Sequence, residues 1–257
     1  MKEPFRFQQF AVHDDRSAMK IGTDGVLLGA WAPVRDAKKI LDIGTGCGIV
    51  ALMLAQRSAS HESQISAIDI EIGAATDAVQ NFSASPWPTR LPRQMEEVHL
   101  SLNQFVSRAA DSSPGFDLTV CNPPYFVPGD QHSDSSRETA RTLASLSRND
   151  LFHDTKSILS DSGRFCLVLP FDQAESTIRL ARSVGFYLCK RTNVRSTPTA
   201  KPKRVLLEFG LRPVDESQVE STELVVEKTR HQYTEGYALL TRDFHLRYSN
   251  ESNDGLT

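Results

Sequence analysis

Short apolar runs alternate with helical patterns along the chain, and this alternation limits the possible folds more than any other feature. Six runs rich in β-branched residues lie at 39–43, 65–69, 116–121, 164–169, 186–189 and 204–209. Nearly continuous apolar runs of this length are typical of strands that are buried on both faces of a parallel sheet. The pattern therefore predicts an α/β fold with a doubly wound, mostly parallel sheet.

Helical patterns occupy the connections between these runs. Apolar residues at 49–55 follow the first run, and residues 74–82 follow the second. A third helix is predicted from Asp172, placed as its N-cap, to Val184, with Gly185 as the stop signal. A weaker strand is predicted at 98–101, after a loop at 83–94 that contains three prolines.

Three segments lie outside this alternation and suggest the domain organisation. Residues 1–38 form an N-terminal extension, and residues 39–248 form the main domain. Within that domain, the stretch 126–147 is rich in Ser, Asp and Arg and is expected to be a long loop or lid. Residues 249–257 form a polar tail whose composition favours disorder.

Composition narrows the class of protein. The chain has 257 residues and a net charge of −3, so we do not expect it to coat nucleic acid non-specifically. It contains no apolar run near the ~18 residues of a membrane span and no apparent secretory signal. Its four cysteines are far apart and have no C-x-x-C spacing, so we expect no metal site and a reducing, cytoplasmic location.

The first run leads directly into a glycine-rich turn and then a helix. The turn, Asp42-Ile43-Gly44-Thr45-Gly46-Cys47-Gly48, lets a ligand approach main-chain N–H groups closely. A nicotinamide enzyme could use the same glycines, but Asp42 would face a cationic or zwitterionic ligand better than a pyrophosphate. Asp69, at the end of the second run, can accept hydrogen bonds from ribose hydroxyls in either cofactor class.

The third run ends in Asn122-Pro123-Pro124-Tyr125, the most specific motif in the chain. Two prolines fix the backbone and donate no hydrogen bonds, so the Asn122 side chain and the Pro123 carbonyl are held as acceptors. Two acceptors on the N–H groups of a planar amine favour a pyramidal nitrogen that can attack a methyl sulfonium. Tyr125 can stack on the planar substrate. The motif predicts methyl transfer to an amide-like nitrogen.

These motifs together resemble the class I amino-methyltransferases, which use S-adenosylmethionine. More narrowly, the chain from about Phe7 to Tyr248 resembles the bacterial tRNA1(Val) adenine-N6 methyltransferases, which modify the adenine immediately 3′ of the anticodon. The narrower resemblance rests on residues 18–31, 85–87, 137–141, 204–207 and 233–237. It implies a seven-stranded Rossmann-like sheet, an N-terminal segment that closes over the cofactor, and a methionine-end site lined by Lys20, Thr23 and Asp24.

One position departs from the family pattern. The third strand in such enzymes usually ends in an acidic residue that contacts the cofactor adenine, whereas this chain has Leu100-Ser101-Leu102-Asn103. We expect Asn103, or the backbone at Leu102, to take the place of the missing carboxylate.

Basic residues cluster in two connections that should lie near the strand ends. One cluster lies between the last two runs and comprises Lys190, Arg191, Arg195, Lys201, Lys203 and Arg204, with few acidic neighbours in the sequence. Arg137 and Arg141 follow the catalytic motif. We expect Arg137, Arg141, Lys201, Lys203 and Arg204 to contact phosphates of a tRNA substrate.

Other functions share parts of this pattern. A protein-glutamine N5 methyltransferase uses the same Asn-Pro-Pro-Tyr motif, but the roughly 40 residues before the glycine motif are few for its usual substrate-binding domain. A guanine-N2 methyltransferase of ribosomal RNA has similar site geometry. From different classes, an NAD-dependent oxidoreductase and a non-catalytic RNA-binding module remain as alternatives. Besides tRNA we expect no membrane partner and a monomeric protein.

Overall fold

The computed structural model describes residues 3–61, 63–109, 115–123 and 147–246. Its elements in chain order are β1 Phe5–Arg6, β2 Ala11–Val12, α1 Thr23–Trp31, β3 Lys39–Ile43, α2 Ile49–Arg57, β4 Gln64–Ile68, α3 Ile72–Ala84, α4 Met95–Val98, α5 Leu102–Ala109, β5 Phe116–Cys121, α6 Arg148–Ile158, β6 Leu159–Pro170, α7 Ala174–Val184, β7 Tyr187–Arg195, β8 Arg204–Gly210, β9 Glu220–Val225, β10 Glu227–Thr229, β11 Gln232–Tyr233 and α8 Glu235–Thr241. Pro124, Tyr125, Arg137, Arg141 and the polar tail lie outside the described residues.

Seven strands form the central sheet in the order β4-β3-β5-β6-β8-β7-β9. Strands β4, β3, β5 and β6 are parallel, β8 runs antiparallel to its neighbours β6 and β7, and β7 and β9 are parallel. The predicted doubly wound α/β fold with a seven-stranded, mostly parallel sheet is confirmed. The strand order reverses between β3 and β5, and ligands of open α/β sheets bind at the carboxyl ends of the strands at such a point.

Both faces of the sheet are buried, which explains why the strand sequences are apolar throughout. Ile40 and Leu118 point to the face covered by α1, α2 and α3, whereas their neighbours Leu41 and Phe165 point to the face covered by α6 and α7. Successive side chains of a strand alternate between faces, so each strand contributes to both cores. On the second face, the Phe152 ring packs edge-on against three other phenylalanine rings, with centroids 5.3 to 5.6 Å apart.

Two local predictions were wrong. The segment 98–101 is not a strand: Met95–Val98 is a short helix closed by a capping box between Gln94 and Glu97, and only His99 forms a bridge, parallel to Asp69. The seventh strand is instead β9. Asp172 is not a helix N-cap, because it lies in a 3₁₀ turn and α7 begins after Gln173. Gly185 does end α7, with a positive φ of 98°.

The N-terminal extension is held to α3 by buried polar side chains. Asp77 is fully buried, and its Oδ2 accepts hydrogen bonds from the backbone N–H groups of Arg16 and Ser17, both at 2.8 Å. The Arg16 guanidinium donates to Asp77 Oδ1 at 3.0 Å. One turn further along α3, Asn81 exchanges two hydrogen bonds with the backbone of His13. These contacts lock residues 13–17 against the main domain.

Membrane-spanning helices, metal sites and the state of the cysteines can be described for the residues that the structure covers. No described helix has the length and apolar character that crossing a bilayer requires. Within the described ranges, no three His, Cys, Asp or Glu side chains are grouped as a metal site would need. Cys47, Cys121 and Cys166 are buried, Cys189 is partly buried, and all four thiols are free.

Candidate active site

Register brings the predicted motifs together at one edge of the sheet. Ile43, the last residue of β3, pairs with Ile68 of β4 on one side and with Cys121 of β5 on the other. The residues that follow these three are the first glycine of the turn, Asp69 and Asn122. Because the strands are parallel and in register, all three motifs emerge side by side at the point where the strand order reverses.

The glycine-rich turn depends on three left-handed residues. Gly44, Gly46 and Gly48 have φ values of 68°, 57° and 86°, a region that side chains disfavour. A Cβ added at Gly44 or Gly46 would meet nothing within 4 Å, so these two positions leave open space above the backbone. A Cβ at Gly48 would meet the Phe82 ring at 2.5 Å. The first two glycines are therefore open to a ligand, and the third permits close packing onto α3.

Asp42 lies beneath this turn and not in the cavity. Its side chain is buried, and Oδ2 accepts hydrogen bonds from the Thr45 hydroxyl at 2.7 Å and the Ala51 backbone N–H at 3.1 Å. Burial raises the pKa of Asp42 to about 7, although both hydrogen bonds act to lower it. The expectation that Asp42 faces a cationic ligand does not match this position. Asp42 instead connects the turn to the first turn of α2.

A cavity of about 440 Å³ opens at this edge of the sheet. One end of its lining comes from the N-terminal extension, the glycine turn, the end of β4 and the start of α5, and includes Ser17, Lys20, Gly44, Gly46, Asp69, Glu71, Leu102 and Asn103. The other end lies over β5 and β6 and includes Asn122, Pro123, Arg148, Phe152, Leu167, Gln173 and Thr177. The cavity therefore has room for a cofactor beside a substrate group.

A larger cavity, about 1020 Å³, opens at the opposite edge of the sheet. Its lining includes Arg93, Glu97, Gly115 and Phe116. It contains neither the glycine turn nor Asn122, and ligands of open α/β sheets bind at the carboxyl edge. We therefore assign the chemistry to the smaller cavity.

Asp69 is the buried carboxylate of the cofactor end. It is 8% exposed, and it accepts hydrogen bonds from the backbone N–H groups of Gly46 and Glu71, both at 2.8 Å. Burial raises the pKa of Asp69, while these N–H donors act to lower it. Each carboxylate oxygen has two lone pairs, so Asp69 retains acceptor capacity toward the cavity.

The other predicted cofactor residues divide into two groups. Leu102 and Asn103 line the cavity from the start of α5. Lys20 also lines it, with Nζ donating to the backbone carbonyls of Asp14, Asp15 and Ser17. Three further predicted residues are not part of the cavity lining: Thr23, Asp24 and Gly48.

The cofactor end fits S-adenosylmethionine. Open space above Gly44 and Gly46 lets a ligand lie directly against the backbone of the turn, and Asp69 and Glu71 supply acceptors for hydroxyls. Apolar walls from Ile70 and Leu102 suit a planar ring. A pyrophosphate would fit poorly, because two carboxylates line the same end of the cavity.

Of seven buried side-chain polar atoms without a partner in the described residues, that of Asn122 is the one whose residue lines this cavity. Its Oδ1 is buried, and no partner within the described residues donates a hydrogen bond to it. A buried acceptor without a donor costs about 1–3 kcal/mol, and a ligand that donates to it removes this cost. Pro123 lines the cavity next to it. The structure therefore holds an acceptor just after β5 that no described residue occupies.

The sequence did not identify Arg148, Gln173 and Thr177, which line the substrate end of the cavity. Arg148 is the first residue of α6, and its guanidinium donates to Gln173 Oε1 in the turn after β6. No motif marks these positions, because the fold brings them to Asn122 from segments far along the chain. Only the order of strands β5 and β6 could have suggested their proximity.

The predicted basic cluster is mostly neutralised by acids from other elements. Lys190 pairs with Glu220 at 2.7 Å, Arg191 with Glu175 at 2.7 Å and Arg195 with Glu223 at 2.8 Å. Neighbouring strands and α7 supply these acids, which is why the sequence around the cluster contains few.

Arg204 also has an acidic partner, since its Nε donates to both carboxylate oxygens of Asp24 at 3.1 and 3.0 Å. By contrast, Lys201 and Lys203 are exposed in the β7–β8 connection. Because Arg204 pairs with Pro170 at the end of β6, this connection lies at the same sheet edge as the cavity.

Comparison with known proteins agrees with this geometry. The methyltransferase small domain family matches residues 17–191. A tRNA1(Val) (adenine(37)-N6)-methyltransferase of Parabacteroides distasonis is 40% identical over 95% of this chain and 98% of its own length. The protein with the same name in Flavobacterium johnsoniae is 41% identical over 95% of this chain and 99% of its own.

Similarity to solved structures supports the fold alone. A predicted O-methyltransferase of Agrobacterium tumefaciens superposes with a TM-score of 0.60 at 16% identity, covering 86% of this chain and 96% of that one. The similarity covers most of the chain and shows the fold, whereas the sequence relatives define the family. The chain belongs to the methyltransferase small domain family and to the family of the tRNA1(Val) (adenine(37)-N6)-methyltransferases.

Proposed function

We propose that the protein transfers a methyl group from S-adenosylmethionine to N6 of the adenine at position 37 of tRNA1(Val). The relatives that are 40–41% identical over nearly their whole length carry this activity in their names. The observation that supports the assignment best is the buried Asn122 Oδ1, which has no donor among the described residues. An exocyclic amine has the N–H donors that this acceptor lacks.

Asn122 and Pro123 would act by orienting the amine. The lone pair of an adenine amine is delocalised into the ring, so the nitrogen is planar and weakly nucleophilic. When Asn122 Oδ1 accepts one N–H group and the Pro123 carbonyl accepts the other, the nitrogen becomes more pyramidal and its lone pair can point toward the cofactor. The cofactor supplies an electrophilic methyl group. The nitrogen loses its proton after it has become cationic, so the site needs no strong base.

The remaining lining residues divide the cavity between the two ligands. We assign the backbone at Gly44 and Gly46, the carboxylate of Asp69, and Leu102 with Asn103 to the cofactor. Phe152 and Leu167 form an apolar floor for the base at the other end. Pro124 and Tyr125, outside the described residues, complete the catalytic motif, and we retain for Tyr125 the predicted role of stacking on the base.

The test compares two asparagines of the same cavity. Asn122→Ala should lower kcat for tRNA methylation by about 10²–10³ while leaving the affinity for S-adenosylhomocysteine unchanged. Asn103→Ala is the matched control, because it removes an identical side chain from the cofactor end. It should raise the KM for S-adenosylmethionine and keep kcat at saturating cofactor. Asn122→Ala with wild-type kcat would overturn the assignment of the amine to Asn122.

The substrate is tested with labelled S-adenosylmethionine and purified RNAs. The wild-type protein should methylate a tRNA1(Val) transcript but not the same transcript with guanine in place of adenine 37. Methylation of ribosomal RNA or of a release factor, with none of tRNA, would replace the proposed substrate by one of the rival substrates.

We further propose that the enzyme works as a monomer in the cytoplasm, where its tRNA substrate is found. Light scattering of the purified protein, with and without tRNA, tests the first part. A mass of two chains in the free protein would overturn it.

A further inference from the structure

Two exposed segments lie side by side at the active-site edge of the sheet, beyond the cavity. One is the β7–β8 connection, residues 196–203, and the other is the β10–β11 hairpin, residues 227–233. Parallel pairing of β7 with β9 continues past the strand ends, since the N–H groups of Val226 and Glu227 donate to the carbonyls of Arg195 and Ser196, both at 2.9 Å. The connection and the hairpin are thus joined by backbone hydrogen bonds.

The base and the tip of the hairpin are both fixed. At its base, Thr234 donates from its backbone N–H to the Val226 carbonyl at 3.0 Å and from its hydroxyl to the Val225 carbonyl. At its tip, His231 has a φ of 65°, and its backbone N–H donates to Glu227 Oε1 at 3.2 Å. A hairpin held at both ends presents its outward side chains in a defined place.

The two segments together carry four exposed cations: Lys201, Lys203, Lys228 and Arg230. Within the described residues, no carboxylate lies at ion-pair distance from any of the four. This distinguishes them from Lys190, Arg191 and Arg195, each of which pairs with an acid. Lys228 and Arg230 are separated by one residue in the sequence, and the fold brings their hairpin beside the β7–β8 connection.

Strand order gives the distance of this surface from the target base. Asn122 follows β5 and the hairpin follows β9, and these two strands are four strand spacings apart in the sheet. At 4.7–4.9 Å each, they span roughly 19 Å. That distance is too long for the phosphates of the methylated nucleotide itself, but it is within reach of nucleotides that flank it in a folded RNA.

We propose that Lys228 and Arg230 of the β10–β11 hairpin extend the surface of Lys201 and Lys203 and bind backbone phosphates of nucleotides that flank the methylated adenine. The inference rests on the proposed function, because it specifies how the same RNA substrate is held. Phosphate contacts position an RNA without reading its sequence, and exposed lysine and arginine side chains supply them.

The test compares two double variants of equal charge. Lys228→Ser combined with Arg230→Ser removes two cations from the hairpin. Arg35→Ser combined with Arg93→Ser removes two exposed cations from the opposite edge of the sheet, so it serves as the matched control. The dissociation constant for tRNA is measured from about 0.1 to 1 M salt. Affinity for S-adenosylhomocysteine, unchanged in both variants, shows that each is folded.

Each lost phosphate contact should lower the slope of log K against log salt by about 0.7–0.9. The hairpin variant should therefore lose about 1.4–1.8 units of slope and bind tRNA roughly 25- to 60-fold more weakly at 0.1 M salt, converging with wild type near 1 M. Its KM for tRNA should rise while kcat at saturating tRNA is kept. The control variant should keep the wild-type slope.

Two outcomes separate this inference from the proposed function. If the wild-type protein methylates tRNA but the hairpin variant keeps its slope, or both variants lose slope equally, the hairpin surface is overturned and the methyltransferase assignment stands. If the wild-type protein neither binds nor methylates tRNA, the proposed function itself fails.

Discussion

Replacing Gly48 by alanine tests whether this glycine serves packing onto α3, whereas Gly44 and Gly46 leave space for the ligand. An alanine Cβ at this position would lie 2.5 Å from Cε1 and 2.8 Å from Cζ of Phe82, whose ring is fully buried. The residue would also keep a φ near 86°, which non-glycine residues disfavour. Gly48 does not line the cavity, so neither effect acts directly on the cofactor.

The magnitude follows from two separate terms. A left-handed conformation costs an alanine roughly 1–2 kcal/mol, and forcing an extra carbon into a packed core costs roughly 1–3 kcal/mol. Gly48→Ala should therefore lower the free energy of unfolding by about 2–5 kcal/mol. Gly44→Ala and Gly46→Ala incur only the first term, because a Cβ there meets nothing within 4 Å.

Urea unfolding and calorimetric titration with S-adenosylhomocysteine separate the two roles. We expect Gly48→Ala to lose the most stability and, where it remains folded, to keep its affinity for the ligand. Gly44→Ala and Gly46→Ala should lose less stability but more affinity, since their new methyl groups occupy the space above the turn. Equal destabilisation by all three substitutions, with equal loss of affinity, would refute the reasoning.

Three further substitutions give distinct expectations. Asp69→Ala should weaken S-adenosylhomocysteine binding by roughly 1.5–3 kcal/mol in calorimetry, with activity restored by excess cofactor, and an unchanged dissociation constant would remove Asp69 from the cofactor site. Arg204→Ser breaks the ion pair with Asp24 and should lower the free energy of unfolding by at most about 1 kcal/mol. The salt dependence of tRNA binding should stay as in wild type. A smaller slope of log K against log salt would mean that Arg204 contacts the RNA. Asp42 has a pKa raised in the folded protein from 3.8 to about 7, so folding takes up a proton and its contribution to stability is lost as pH rises through this range. In denaturant titrations, the free energy of unfolding of Asp42→Asn relative to wild type should therefore increase between the two pKa values, from pH 3.8 to about 7. A difference that does not change with pH would contradict a raised pKa for Asp42.

The sequence predicted the central strands well, because strands covered on both faces must be apolar along their whole length. It missed β9 for the opposite reason. Glu220–Val225 is an edge strand whose first four residues are exposed, so its sequence is mostly polar and lacks the apolar run of a buried strand. At 98–101 the expected strand shrinks to one bridge between His99 and Asp69, because the helices Met95–Val98 and Leu102–Ala109 leave only three residues between them.

The site was predictable where one short segment carries the chemistry. The strand-turn-helix context located Gly44 and Gly46, and the motif at the end of β5 located Asn122. Residues that act through long-range contacts were not accessible in the same way. Asp42 could be recognised as acidic but not as buried beneath the turn, and Arg204 could be counted as basic without revealing Asp24 as its partner.

The buried Asp77 sets a limit on how the cofactor site can open. Residues 13–17, which Asp77 and Asn81 hold against α3, lead directly into residues 17–22 of the cavity wall. Pulling this segment away would break the four hydrogen bonds that Asp77 accepts from Arg16 and Ser17, each worth about 0.5–1.5 kcal/mol net. At a cost of a few kcal/mol, such an opened state would be only a minor population. We therefore expect the wall formed by residues 17–22 to stay in place when the cofactor binds and leaves.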